Sequence, residues 1–305
     1  MRTLPAAALL CACTSALPGE TALVSACGPV ALAVDSNNLY WTSKCDGGSL
    51  QVASKSDWSF TSVVNQLGEV GDLVLDGDTV YIAVQAQLLK VATTGGAANV
   101  VATGTAPVAV VADDQNLYWS DTAGYIYSMP KDGHLSPSRV GPGGFLSKQT
   151  IDSSYLYWTY DTCVWRQAKG STTSEFIVCD QSGGYERTMA TLEGHVFLWS
   201  TTFPGNTGMI DGALETLYEG SNVAESYFGD NYHSALSDQQ YVYWFKDLQL
   251  VRRPLGGGAD EAVANVSSFD SVGEYANVRV DDVVMDDEYL YWADDTTGAI
   301  LRAHK

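Results

Sequence analysis

At 305 residues, with 36 acidic against 16 basic side chains, the chain carries a formal net charge of -20. That balance argues against nucleic acid as a partner, since phosphate recognition needs clustered Lys and Arg and no such run is present. It also disfavours adsorption of the globular part to anionic lipid, and it reads most simply as a means of keeping an exported monomer soluble.

The amino terminus opens with Met1-Arg2, an apolar run from Leu4 to Leu10, and then Leu10-Cys11-Ala12-Cys13. A run this short cannot span a bilayer, and its order of charge, apolar core and small residue is that of an export signal. The last four residues resemble the lipobox of bacterial lipoproteins. On that resemblance residues 1–12 are a signal peptide, Cys13 is the lipidated residue, and 13–20 form a short tether to a membrane surface. The alternative is an ordinary cleaved signal ending near Thr14-Ser15-Ala16, which would leave a secreted or periplasmic protein.

From Thr21 onward one pattern repeats. Asn38-Leu39-Tyr40-Trp41 returns as Leu117-Tyr118-Trp119, Leu156-Tyr157-Trp158, Val242-Tyr243-Trp244 and Leu290-Tyr291-Trp292, with worn copies at Val80-Tyr81-Ile82 and Phe197-Leu198-Trp199. The Tyr positions 40, 81, 118, 157, 198, 243 and 291 are separated by 41, 37, 39, 41, 45 and 48 residues. Such steps match one four-stranded propeller blade. The expectation is an all-β fold, a single seven-bladed β-propeller over 21–305.

The first repeat shows the grammar of a blade. An apolar strand, Val30 to Val34, runs into Asp35-Ser36-Asn37-Asn38, whose side chains can imitate turn hydrogen bonds. The Tyr-Trp strand follows, Asp46-Gly47-Gly48 turns it, and two further strands are expected at Leu50 to Ser54 and Phe60 to Val64. Adjacent strand residues face opposite ways, so a Tyr-Trp pair is tolerable only where both sheet faces are covered. The pairs are therefore expected to build the core between blades. The last repeat has three strands, Val280 to Met285, Tyr289 to Ala293 and Ala299 to Ala303, and its open edge needs a partner. Thr21-Ala22-Leu23-Val24 is expected to supply it, so that an N-terminal strand completes the C-terminal blade.

Four cysteines follow Cys11 and Cys13. In the blade register Cys27 and Cys45 fall on one face of the first blade, and Cys163 and Cys179 fall on the same face of the fourth, so the expected disulfides are Cys27 with Cys45 and Cys163 with Cys179. The spacing does not suit a zinc site.

The later repeats have long approaches to their first strands, carrying Tyr185, Glu186, Arg187, Asn231, Tyr232, His233 and Arg279. Counting back from the Tyr-Trp pairs puts Glu69, Asp72, Lys148, Asp281 and Asp282 near the same rim. These residues are the candidates for binding a polar ligand or peptide. Glu69 and Asp72 are the weak candidates for calcium or another divalent metal. No Gly-x-Ser-x-Gly, His-Glu-x-x-His or phosphate loop occurs, and no catalytic residue is assigned.

Tyr118-Trp119-Ser120-Asp121 and Tyr291-Trp292-Ala293-Asp294 resemble the YWTD repeats of lipoprotein-receptor propellers. The Val-Tyr-Trp strands, together with Arg253-Pro254-Leu255-Gly256-Gly257-Gly258, are also similar to exported bacterial propeller proteins, often lipoproteins. The resemblance implies fold and export, and no substrate. The resulting expectation is a non-enzymatic binding or scaffold protein, anchored to the membrane by lipid and recognising an envelope protein or glycan. The alternative is a lactonase-type or lyase-type propeller enzyme, with a divalent metal held at the channel mouth by residues such as Glu69, Asp72, Glu186, Asn231 and Asp281.

Overall fold

The computed structural model describes residues 21–133, 135–141, 149–160, 163–179, 187–192, 195–200, 207–211, 213–218, 236–246, 249–255, 258–265, 280–294 and 298–305. Each sheet has four antiparallel strands, in chain order in all but the closing sheet. The first comprises Pro29–Val34, Asn38–Ser43, Ser49–Ser54 and Phe60–Asn65, and the second Val70–Asp76, Thr79–Val84, Gln87–Ala92 and Asn99–Thr103. The third is Pro107–Ala112, Asn116–Asp121, Ile126–Pro130 and Ser138–Gly141, and the fourth Gln149–Ile151, Tyr155–Tyr160, Cys163–Ala168 and Ser174–Cys179. The fifth runs Arg187–Leu192, His195–Ser200, Thr207–Asp211 and Ala213–Tyr218, and the sixth Leu236–Ser237, Tyr241–Lys246, Gln249–Pro254 and Glu261–Asn265.

The closing sheet joins the two ends of the chain. Val280–Met285, Tyr289–Asp294 and Ala299–His304 take Thr21–Ser25 as their fourth strand, with Thr21 opposite Arg302 and Ser25 opposite Ala299. The edge that the sequence leaves open is thus capped within the same chain. First strands of successive sheets touch in chain order, and Val280–Met285 touches Pro29–Val34, so these strands encircle an axis.

The hydrophobic core lies between sheets. Tyr291 packs with Trp41, Tyr81 with Trp119, Tyr118 with Trp158, and Tyr243 with Trp292, each Tyr coming from one sheet and each Trp from the next. Tyr40 meets Ile82, which takes the Trp place in the worn second repeat. Trp41, Trp119, Trp158 and Trp292 are fully buried. Alternation along the strand sends Tyr and Trp to opposite faces, and a propeller buries both.

One expectation requires correction. The expected seven-bladed propeller is not what the structure describes: six blades contribute described residues to the buried core, and the sheet within 187–218 is described only by its strand pairing and the contacts of its first strand. That sheet carries the worn Phe197-Leu198-Trp199 copy, and among the described residues only Phe197 opposite Met209 is paired between its two middle strands. The repeat count treated it as equal to the others because spacing alone carries no information on packing.

Candidate binding surfaces

The ring has two faces. On one, here the disulfide face, lie the connections from second to third strands and from each fourth strand to the next first strand. Cys27 and Cys45 are bridged there, with Cα atoms 5.8 Å apart. Ser43 reinforces the bridge, its hydroxyl donating to the Cys27 carbonyl and accepting the Cys45 amide at 3.2 Å. A short 3-10 turn, Cys45–Gly47, replaces the simple turn expected from the sequence, and Asp46 sits in the left-handed region at φ 54°. Gly48 follows at φ 82°, where a Cβ would lie 1.8 Å from the Gly68 carbonyl oxygen. Only glycine permits that approach, through which the Gly47 and Gly48 carbonyls accept the Gly68 and Leu67 amides. Cys163 is also disulfide-bonded and stands opposite Cys179 in the strand register.

Two of the rim candidates from the sequence have described surroundings. Glu69 is exposed just ahead of Val70, and its carbonyl accepts the Gln85 amide at 3.1 Å. Asp72 lies partly buried on the first strand of the second sheet. Its Oδ1 accepts the Leu73 amide at 2.8 Å, and its Oδ2 reaches the next sheet to accept the Val110 amide at 2.7 Å. Thr42 and Gln149 do similar work: the Thr42 hydroxyl donates to the Gly71 carbonyl at 2.9 Å, and the Gln149 amide donates to the Ala109 carbonyl at 2.7 Å. Arg187 and Asp281 are placed on first strands, Arg187 opposite Ser200. Tyr185, Glu186, Asn231, Tyr232, His233, Arg279, Lys148 and Cys13 lie outside the described residues.

The opposite face, here the aspartate face, shows a device that the sequence reading treated only as turn chemistry. Asp35, Asp113, Asp152, Asp238 and Asp286 each accept two backbone amides on Oδ1, from the residues two and three places on, at 2.7 to 2.9 Å. On Oδ2 each accepts the hydroxyl of the Tyr five places on, at 2.7 to 3.1 Å. A Lys from the following sheet then closes on the Asp: Lys131 on Asp76 at 2.5 Å, Lys305 on Asp238 at 2.9 Å, and Lys55 on Asp286 at 2.7 Å. Lys169 stands farther from Asp113, at 3.6 Å. Burial alone would raise the Asp286 pKa, but Lys55, the two amides and Tyr291 outweigh it and hold the carboxyl at about 2. The Asp35, Asp113 and Asp238 carboxyls are likewise lowered against the opposing effect of burial. Burial, then the neighbouring carboxylate, pushes Tyr118 up to about 12 and raises Tyr157, Tyr243 and Tyr291.

Where Lys169 stands off, a cleft of about 300 Å³ opens between the third and fourth sheets. Leu156, Val140 and Ala168 give it an apolar floor, and Asn116, Tyr118, Ser128, Ser138 and Thr172 contribute polar walls. Lys169 is the cation beside it, whereas Arg139, also at its edge, stands opposite Tyr127 and so carries its side chain on the face toward the second sheet. The Arg139 guanidinium lies 3.4 Å from the Tyr125 ring centroid, while its Nε donates to the Gly141 carbonyl at 3.3 Å. Gln167 stiffens the far wall, donating to the Ser171 carbonyl at 2.5 Å and accepting the Ser174 hydroxyl at 3.1 Å.

Comparison with solved structures agrees with this architecture. The chain is similar to the computationally designed Ika8 protein, with a TM-score of 0.64 and 12% identity over 95% of this chain and 99% of that one. It is similar to BamB from Moraxella catarrhalis, with a TM-score of 0.55 and 11% identity over 92% and 85% of the two chains. The fold is a β-propeller. An auxiliary nutrient binding protein from Bacteroides thetaiotaomicron VPI-5482 is also similar, with a TM-score of 0.56 and 13% identity over 90% of this chain and 68% of that one. At these identities the likeness concerns the fold alone. No family model matches the chain, and no curated protein matches it in sequence.

Proposed function

We propose that this propeller is an exported, non-enzymatic binding or scaffold protein that presents its disulfide face to an envelope protein or glycan. The observation that carries the reading is the use made of Asp72. Both of its carboxylate oxygens hold backbone amides, one of them in the neighbouring sheet, so the central described member of the metal set acts as a rivet between blades. The disulfide and the Gly48–Gly68 contact stiffen the same face, which favours preorganised recognition. Similarity to a nutrient binding protein and to BamB is consistent with a binding role. Disulfides support export, and a lipid on Cys13 would hold the ring at a membrane.

The test is capture from envelope extract by the immobilised propeller, beside a variant in which Tyr185, Arg187, Tyr232 and His233 are replaced by Ala. The reading expects a defined protein or glycan that the variant loses while its unfolding midpoint is kept. Equal capture by both, or stoichiometric divalent metal in the purified protein that departs on Asp72→Asn, contradicts it. In the same cells, fatty-acid label should mark the wild type and spare Cys13→Ser, and equal labelling would remove the anchor.

A further inference from the structure

The fourth and sixth sheets carry the same outer layer beside the Tyr of the core. In the fourth, Arg166 stands opposite both Tyr157 and Glu175, and its guanidinium bonds Glu175 at 3.0 Å and lies over the Tyr155 ring at 4.5 Å. In the sixth, Arg252 stands opposite Tyr243 and Glu261, 2.9 Å from Glu261 and 4.2 Å from the Tyr241 ring. The third sheet holds Asn116, Ser128 and Ser138 in those places. The closing sheet keeps the Tyr and the Arg: Arg302 stands opposite Tyr291 and lies 4.3 Å from the Tyr289 ring. Opposite Arg302 on the fourth strand is Thr21, the first residue of the segment that closes the ring. An exposed threonine thus stands where two other sheets hold the glutamate of an ion pair.

Arg302 touches a second ring, that of Trp58 from the first sheet, at 5.2 Å, and Trp58 in turn lies 6.1 Å from Tyr291. Stacking on rings engages the flat of a guanidinium and leaves its N–H edge for an acceptor. The other charges of this interface are committed elsewhere. Lys55 is held by Asp286 at 2.7 Å and by the Asp35 carbonyl, Asp57 by the Ser59 amide and hydroxyl at 3.0 and 2.7 Å, and Glu288 by His304 at 3.3 Å. Among the described residues no carboxylate pairs with Arg302. Phe60 adds an apolar flank. It stands opposite Ala53 and its ring is 5.6 Å from that of Trp41, both of which pack with Tyr291, yet it is 51% exposed.

We propose that this place receives a glutamate side chain from a protein partner, its carboxylate on the edge of Arg302 and its apolar neighbours against Trp58 and Phe60. The chain itself shows what fits, since glutamate completes the layer in the fourth and sixth sheets. A single carboxylate also suits a chain of net charge -20 better than a polyanionic surface, which the remaining acidic groups repel. Trp, Tyr and Arg are the side chains on which protein recognition concentrates. The site uses none of the residues assigned to the disulfide face, so it stands or falls independently of that reading.

Titration with the capped tripeptide acetyl-Leu-Glu-Leu-amide, followed by calorimetry or ligand-observed NMR, tests it, with the corresponding Gln tripeptide as the neutral control. Saturable binding of the Glu peptide is expected, with the Gln peptide weaker by at least about tenfold for loss of a charge-assisted contact. Thr21→Glu supplies from within the chain the carboxylate that Glu175 and Glu261 provide in the other sheets, and should abolish that binding. Arg302→Gln should weaken it by about tenfold on the same grounds, and decides the matter if the filled variant folds poorly. Binding that emerges only in Glu20→Gln would assign the place to the acidic residue that precedes Thr21 and would overturn the proposal. So would absence of Glu-peptide binding, equal binding of the Gln peptide, or binding unchanged in Thr21→Glu or Arg302→Gln.

Discussion

The interface between the third and fourth sheets and the one between the sixth and closing sheets are built on the same plan and finished differently. Each pairs a Tyr from one sheet with a Trp from the next, Tyr118 with Trp158 and Tyr243 with Trp292. Each roots its Tyr in an Asp five places earlier and aims a Lys at that Asp. At the sixth sheet, Tyr241, Arg252 and Glu261 fill the outer layer and Lys305 closes to 2.9 Å. At the third sheet that layer is Asn116, Ser128 and Ser138, Lys169 stands at 3.6 Å, and the buried Trp158 indole nitrogen has no hydrogen-bond partner. The difference teaches that the core and the Asp-Tyr brace close the ring, while the outer layer decides whether an interface is filled or left with a cleft.

The largest effect that separates the two is in the core. Trp292→Ala should destabilise the protein by about 3–5 kcal/mol, the usual penalty for emptying a large aromatic site. Trp158→Ala should fall at or below the lower end of about 3 kcal/mol, because the adjacent cleft lets the walls relax and an unpaired indole N–H is removed. Urea unfolding of the two variants checks the order, and equal losses would mean that the cleft is closed in solution.

A smaller effect lies in the brace. Asp238→Ala removes two amide acceptors, the Tyr243 acceptor and the Lys305 partner, for about 2–3 kcal/mol, and Asp113→Ala should cost about 0.5–1 kcal/mol less for want of a closed Lys. The pH dependence carries the same signature. An Asp whose folded pKa is lowered stabilises the fold above its ordinary value of 3.8 and loses that contribution as pH falls through the folded value, about 2 for Asp286. Stability should therefore decline between about pH 4 and pH 2, and Asp286→Ala should flatten that slope in acid-unfolding curves. A slope unchanged in the variant would remove Asp286 from the brace.

Much of the ring was legible in the sequence because a Tyr-Trp pair in a strand has few places to hide both rings. The same logic gave the Thr21–Ser25 strand its place on the closing sheet and paired Cys27 with Cys45. The brace was legible in part. Asp35, Asp113 and Asp286 were visible as turn residues, but their constant five-residue spacing to the Tyr went unused, as did the Lys that follows the third strand at 55, 131, 169 and 305. Their meaning depends on which sheet faces which, and that only the assembled ring supplies. The cleft was illegible for a related reason: Asn116, Ser128 and Ser138 are ordinary strand-edge residues until they are aligned with Tyr155, Arg166 and Glu175 in register. Asp72, an expected rim residue of the disulfide face, joins two sheets.

The central claim is that the interfaces share one frame and differ in a removable outer layer. Thermal unfolding of Asn116→Tyr/Ser128→Arg/Ser138→Glu tests it most directly. If the frame is shared, the transplanted layer finds its stacking and ion-pair partners and the midpoint stays level or rises by a few degrees, in line with a gain of about 0.5–1 kcal/mol. A midpoint several degrees below that of the parent chain would show that the third and fourth sheets meet on a different frame.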